Sequence, residues 1–420
     1  LGENARFSAN MFGARGQQVN VHTYSISPHL FRRFADGSRA GLRYRFSQAY
    51  FGDRRADANP TSGDLLNNSS TQEASASYQS AELFERLRFV ASAYANRTIE
   101  DGSTFSPRFE YEQASGQLSA EYAITDRFAL SGAAGYDKVD TSATATAGLF
   151  DDDKLSGAFW RAGFTARPGR KTYLRAEYGR RYGKEFVSGE FTYNLSDRLQ
   201  FQAGADRRFE TRAQTVGSQF AGLQQDTLEF VDRLREGKNL DVRQLIDSAN
   251  RYSRLRDGIG AQSAGLGAFD SAYAGVRGKW GRTEIGGTAS YEKADFGFRR
   301  VDSWGGQLDV SRQLSRRLTA YGSAFYRHVD TEFDPALCVT SPFLFGFDVR
   351  APLFNPTTAC QDYAIQNGRT DTIGGRVGAK YRVYENLSLF GEYTRTNRLG
   401  EFSVLEYKEN SFLAGAQLDF

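Results

Sequence analysis

The residues best suited to chemistry in this chain of 420 residues are few: three histidines, His22, His29 and His328, and two cysteines, Cys338 and Cys360. Nucleophilic catalysis needs a histidine beside a serine, cysteine or carboxylate, with a third group to orient it. None of the three histidines has such a local constellation, and each reads as a solvated polar residue on a strand. The acidic run "DDDK" at 151–154 lacks the ligand spacing of a calcium loop and reads as a loop tip. "GIGAQSAG" at 258–265 has no strand before it and no helix after it, so it is no phosphate cradle. No His/Cys spacing suits zinc. The expectation is therefore a protein without catalytic residues, resident metal or cofactor. Cys338 and Cys360 share the turn-rich stretch "DPALCVTSPFLFGFDVRAPLFNPTTACQDY". They are expected to form a local disulfide that closes a loop of about 20 residues, worth ~3 kcal/mol in the chain-entropy picture. Such a bond implies an oxidising compartment.

Composition narrows the class. Basic residues number 53 and acidic residues 50, a net charge of +3 with no nucleic-acid footprint. Mean hydropathy is −0.55, and no stretch approaches the roughly 18 apolar residues of a membrane helix. Yet 43 glycines, 22 tyrosines and 33 phenylalanines stand beside only 8 prolines and one methionine, a mix that favours strands joined by tight turns. The opening "LGENARFSAN" shows no charged-then-apolar export stretch. A signal removed earlier, or an excised piece of a longer chain, is the expectation.

What would position any functional side chain is a period-2 alternation along nearly the whole length. In "RAGLRYRFSQAY" Ala40, Leu42, Tyr44 and Phe46 share one side, and Arg43, Arg45 and Ser47 the other. "VSGEFTYNL" sets Val187, Phe191, Tyr193 and Leu195 against Ser188, Glu190, Thr192 and Asn194. "TIGGRVGAKYRVY" sets Ile373, Val377, Ala379, Tyr381 and Val383 against Arg376, Lys380 and Arg382. Each is a strand with one apolar and one wettable face.

Short turns at "ITDRF", "LSDRL", "LSRRL" and "VYENL" alternate with longer segments near 51–70, 97–110, 138–155, 208–270, 328–370 and 396–408. With about 18 strands, every long segment falls on an odd-numbered connection. That parity predicts an all-β, closed antiparallel transmembrane β-barrel, with short periplasmic turns, long external loops and both termini periplasmic. The chain reads as one domain, 1–420. Apolar residues would face lipid, the charged register a wet lumen, and Tyr122, Tyr193, Tyr381 and Phe420 the interfacial girdles.

One loop breaks the rhythm. Within an insertion at 210–269, "LQQDTLEFVDRLREG" and "LDVRQLIDSANRY" carry helical spacing and predict a helical hairpin in an external loop. Its apolar residues Leu223, Phe230, Leu234, Leu245 and Ile246 are the gate candidates.

The expected lumen wall carries both signs of charge. Early strands supply Arg43, Arg45, Glu121, Arg161, Arg175 and Glu177. Later ones supply Arg277, Lys279, Tyr321, Arg327, Arg376, Lys380, Arg382 and Glu392, with a basic excess on the last strands. Such a wall keeps a lumen wet and tunes what crosses. The inward aromatics Tyr321, Phe325 and Phe390 suit stacking on sugar rings, or packing against a loop folded inward.

The last stretch, 376–420, adds a resemblance. It carries Tyr407, Glu409 and Asn410, then an alternating strand ending in Phe420. It resembles the type 2 family of outer-membrane β-barrel porins of Gram-negative bacteria, which resemble in turn the barrels of exopolysaccharide export systems. The resemblance covers about the last 45 residues closely and the remaining hairpins more loosely. It implies that Phe420 serves as the signal read by the barrel-assembly machinery. It also implies a setting of outer-membrane lipids and lipopolysaccharide, and a periplasmic polysaccharide export protein as partner. The implied function is export of a polar polymer, an exopolysaccharide, through the lumen. A diffusion porin for small polar solutes and a closed barrel acting as scaffold or adhesin are the alternatives.

Overall fold

A computed structural model describes residues 7–9, 19–51, 68–81, 86–101, 108–141, 155–211, 266–295, 299–342, 354–384, 387–403 and 406–418. The expected helical hairpin, its five apolar residues, the run at 151–154 and Phe420 lie outside the described residues, whereas 210–211 and 266–269 at the two ends of the expected insertion are strand.

The fold is an all-β antiparallel barrel. Its first strands are β1 (Phe7–Ala9), β2 (Val19–Ile26), β3 (His29–Arg33), β4 (Arg39–Phe51), β5 (Ser69–Gln79) and β6 (Leu87–Glu100). There follow β7 (Phe109–Thr125), β8 (Phe128–Thr141), β9 (Gly157–Gly169), β10 (Thr172–Arg181), β11 (Lys184–Ser196) and β12 (Leu199–Thr211). Next come β13 (Leu266–Trp280), β14 (Thr283–Asp295), β15 (Arg299–Gln313) and β16 (Leu318–Phe333). Two short helices, α1 (Pro335–Thr340) and α2 (Pro356–Gln366), precede β17 (Thr370–Arg382), β18 (Leu387–Gly400) and β19 (Tyr407–Leu418).

From β4 to β19 each strand pairs with the next in the chain, and β1 pairs with β2. β2 and β3 both lie against β4 and act as one interrupted strand, so nineteen segments make eighteen strands. The interruption falls at Pro28. Proline has no N–H for the ladder, but its carbonyl still accepts from the Tyr44 N–H at 3.0 Å.

At one end the connections are tight: two residues each join β7–β8, β9–β10, β11–β12 and β13–β14. The β3–β4 turn uses Gly37 at φ +88°, and the Asp36 carboxylate accepts from the Ser38 O–H at 2.7 Å and N–H at 2.9 Å. Those bonds hold the Asp36 carboxyl below its ordinary range. All the long connections lie at the other end, together with a two-residue turn at Tyr182–Gly183 whose residues both have positive φ. Positive φ at both positions matches the right-handed twist of the flanking strands. The strands also run further into the long segments than alternation suggested: β12 continues to Thr211 and β16 to Phe333.

Burial is inverted relative to a water-soluble sheet. Leu42, Leu118, Val187, Leu308 and Val377 are each more than half exposed, while Glu177, Arg277, Glu292, Arg327 and Lys380 are buried. The two sets occupy opposite registers of the one continuous sheet, so the apolar register is the outside of the barrel. Exposed aromatics mark two levels on that outside. Tyr78, Tyr122, Tyr193, Trp280 and Tyr381 lie near the strand ends beside the tight turns. Tyr136, Trp160, Tyr178, Tyr291, Trp304 and Tyr326 lie higher up the strands, toward the long connections.

If hydrocarbon covers the outward rows, Leu308→Arg in the middle of β15 should lower folding free energy in lipid vesicles by about 2–4 kcal/mol. Leu308→Ala should cost much less. The measurement is reversible urea unfolding with vesicles present. An Arg variant as stable as the Ala variant would mean that water covers this face.

Candidate functional site: the charged interior and the helical lid

Four groups of side chains occupy the interior register. The first joins β4, β5 and β6. Arg45 forms an ion pair with Glu73, which also accepts from the Tyr94 hydroxyl at 3.0 Å. The Asn96 amide donates to the Tyr94 hydroxyl at 3.0 Å, and Thr98 donates to Asn96 at 3.1 Å.

The second group is a latch reached from the tight turn after β10. Arg181 grips the buried Asp137 of β8 with two bonds, at 2.7 and 2.8 Å. Its guanidinium lies 4.5 Å from the Phe159 ring centroid and 4.9 Å from that of Tyr182. Tyr182 accepts from the Gln113 amide of β7 at 2.8 Å. Because the turn is short, it can bend inward and tie β7, β8, β9 and β10 together. A fork-shaped guanidinium between aromatic faces is a geometry that lysine does not reproduce.

The third group runs along the wall from β9 to β18. Glu177 accepts from Arg175 at 2.7 Å and faces Arg161 at 3.8 Å. Gln202 donates to Glu190 at 3.2 Å. Arg277 pairs with Glu284, and Gln307 donates to both oxygens of Asp309 at 2.7 and 2.9 Å. Arg376 donates to Ser323 at 2.8 Å and faces Asp309 at 3.8 Å. Glu392 accepts from Thr394 at 3.4 Å.

The fourth group is a lid. Above the wall the interior register of β13–β16 turns apolar: Phe269, Ala294, Val301, Val329 and Phe333. Against it pack Leu337 and Cys338 of α1 and Cys360 and Tyr363 of α2. Phe333 and Tyr363 meet edge to face at 5.2 Å, and Arg299 donates to the Tyr363 hydroxyl at 3.2 Å. The Cys338–Cys360 disulfide joins the helices, with Cα atoms 5.9 Å apart, as the cysteine pair led one to expect. The two described helices of the long β16–β17 connection therefore fold inward onto the barrel's own wall. Its helices were missed in a stretch read as turns. The signal was present: Asp334-Pro335 and Asn355-Pro356 each place a capping side chain before a proline at the first helical position.

Of the residues expected on the wall, Arg277, Arg327, Lys380 and Glu177 are buried in the interior register, and Arg45, Arg161, Arg376, Arg382, Tyr321 and Glu392 are half-buried there. Arg175, Arg43, Glu121 and Lys279 share the register but stay exposed. Arg43 donates to Ser27 at 2.9 Å and Arg327 to Ser303 at 3.3 Å. Alternation assigned faces, but it could not tell which strands meet: Asp137 and Arg181 are 44 residues apart, and neither was singled out. His328, expected to be a solvated residue, instead sits on the outer face of β16. Its ring meets the Asp371 carboxylate at 2.8 Å and lies 5.6 Å from Trp304. Among the described residues, no group of three or more metal-ligating side chains occurs.

No family model matches the chain, and no curated protein does. Solved structures do. A variant of the FrpB iron transporter from Neisseria meningitidis is 10% identical at a TM-score of 0.47, over 100% of this chain and 75% of that one. A mutant of the ferric enterobactin receptor PfeA from Pseudomonas aeruginosa is 9% identical at a TM-score of 0.49, over 100% of this chain and 72% of that one. A loop-deletion form of OmpT, an outer membrane protein of Vibrio cholerae, is 10% identical at a TM-score of 0.34, over 93% and 99%. At such identity and overlap, these likenesses say nothing of what this chain carries or binds.

Removing one half of the latch should be costly. Arg181→Ala strands the Asp137 carboxylate, which has only 2% of its side-chain surface exposed, and should destabilise the barrel by about 3 kcal/mol. Denaturant titration reads this, and Asp137→Asn combined with Arg181→Ala should recover part of it. For the lid, Cys338→Ser with Cys360→Ser should leave the strands intact but raise amide exchange in α1 and α2 above that of β13–β16.

Proposed function

We propose that this chain is a closed outer-membrane barrel that conducts a polar polymer, an exopolysaccharide, with the helical lid as its gate. The observation that carries the membrane reading is the inverted burial. An exterior with Leu42, Val187, Leu308 and Val377 more than half exposed suits acyl tails and is wasteful in water. In hydrocarbon no strand edge can stay unpaired, so β19 must meet the first strands and close the sheet. The two aromatic levels on the outside match the two interfaces of a bilayer.

The conduit reading rests on the interior. Charges of both signs, some buried and some half-buried, line the wall, as suits a wettable passage, where a packed core would favour apolar side chains. The lid supports a gated passage rather than an always-open pore. It meets the wall through an apolar patch and through Arg299, which donates to the Tyr363 hydroxyl and to the Asn367 side chain, while the disulfide ties its two helices together, so it can leave the wall as one body. The partners consistent with this reading are a periplasmic export protein, the barrel-assembly machinery acting on Phe420, and the surrounding lipid and lipopolysaccharide. Both chain ends then face the periplasm.

Planar-bilayer recording tests the gate. The native barrel should conduct poorly, and replacing 335–366 with a short Gly/Ser linker should raise conductance at least tenfold. A native protein that conducts steadily alone would instead mark a diffusion porin. Deleting the gene should strand polysaccharide in the periplasm, and unchanged secretion would end the export reading.

A further inference from the structure

Five aromatic side chains on the interior register share an unusual arrangement. Each sits directly opposite a glycine on the neighbouring strand: Phe159 with Gly135, Tyr273 with Gly204, Tyr321 with Gly378, Phe325 with Gly374, and Phe390 with Gly415. In every pair the far edge of the ring lies where a Cβ would be. A methyl built on Gly374 would stand 2.4 Å from Phe325 Cζ, and one on Gly415 would stand 2.5 Å from Phe390 Cζ. The ring therefore leans over the neighbouring strand with one face on bare backbone, and its other face toward the barrel interior. A side chain in place of the glycine would lift the ring away from the wall.

Three of the five cluster on the β16–β18 wall. Tyr321 and Phe325 are four residues apart on the same face of β16, about 13 Å along the strand at 3.3 Å per residue. Phe390 follows on β18, one step closer to the tight turns, opposite Lys380. All three are half-buried and keep part of their surface toward the interior. Polar groups alternate with them: Arg376 stands on β17 between Gly374 and Gly378, and Lys380 and Glu392 stand beside Tyr321 and Phe390.

We propose that Tyr321, Phe325 and Phe390 form a glycan track, on which successive pyranose rings of a passing polysaccharide lay their C–H faces while the half-buried Arg376 and Glu392 exchange hydrogen bonds with their hydroxyls. This rests on the conduit reading and names the residues that contact its cargo. The negative face of an aromatic ring attracts weakly positive C–H groups, and the alternation of flat apolar patches with charged hydrogen-bonding groups matches a sugar's two-sided character. Weak contacts repeated along a wall hold a polymer against it without trapping it, which a passage requires.

Saturation-transfer NMR on the detergent-purified barrel tests the track, with three soluble probes: cellohexaose, maltohexaose and hexagalacturonate. At least one should receive saturation on its ring C–H protons. The double change Tyr321→Leu with Phe325→Leu should weaken its binding at least tenfold, whereas Phe325→Tyr should keep it. Gly374→Ala, which lifts the Phe325 ring, should weaken it several-fold while the barrel stays folded by heat-modifiability on a gel. Transfer to none of the three probes, or transfer unchanged in the folded double Leu variant, would overturn the track. Neither result depends on conductance or secretion, so failure of the track and failure of the conduit are read separately.

Discussion

Every strand in this chain depends on one constraint: its backbone N–H and C=O groups must be satisfied by the strands beside it. In the apolar surroundings that the exterior implies, no water is present to do so, and each unmet group costs several kcal/mol. The unbroken run of ladders from β4 to β19 meets that demand with the simplest topology, in which each strand turns back on the one before it. Local pairing keeps loop-closure costs low at each step. The same constraint explains why the break between β2 and β3 falls at Pro28, the one residue there with no N–H to place.

Once the ladder is fixed, side chains have only two directions, and the chain uses them for opposite purposes. Outward positions carry small and aliphatic residues with aromatics at two levels. Inward positions carry charges, several of which meet a partner of opposite sign or a hydroxyl: Arg45 with Glu73, Arg181 with Asp137, Arg376 with Asp309 and Ser323. Buried charges survive only when paired in this way. The same inward direction turns apolar above the wall, at Phe269, Val301 and Val329, where it meets the lid. A change of chemistry along a single register thus separates a charged wall from a docking site for helices.

Much of this was legible because the code is local. Alternation has a period of two, so "RAGLRYRFSQAY" already reveals that Leu42 and Arg43 face opposite ways. The cysteine pair was equally readable, since both residues lie in one short stretch. What alternation does not carry is the meeting of distant strands. Nothing near Asp137 points to Arg181, and nothing near Arg299 points to Tyr363. The helices of the lid were hidden for a different reason. At six and eleven residues they are too short to show a clear helical period, and only their caps betray them.

The glycines show how the two levels interact. In a water-soluble sheet an interior glycine weakens a strand by leaving nothing to pack. Here Gly374, Gly378 and Gly415 each lie beneath a ring from the next strand, which covers the backbone that the missing side chain leaves bare. The exchange has a geometric consequence. A ring that leans over a glycine fills the space a Cβ would take, so this wall accepts large aromatic side chains because the residue opposite each ring is the smallest available.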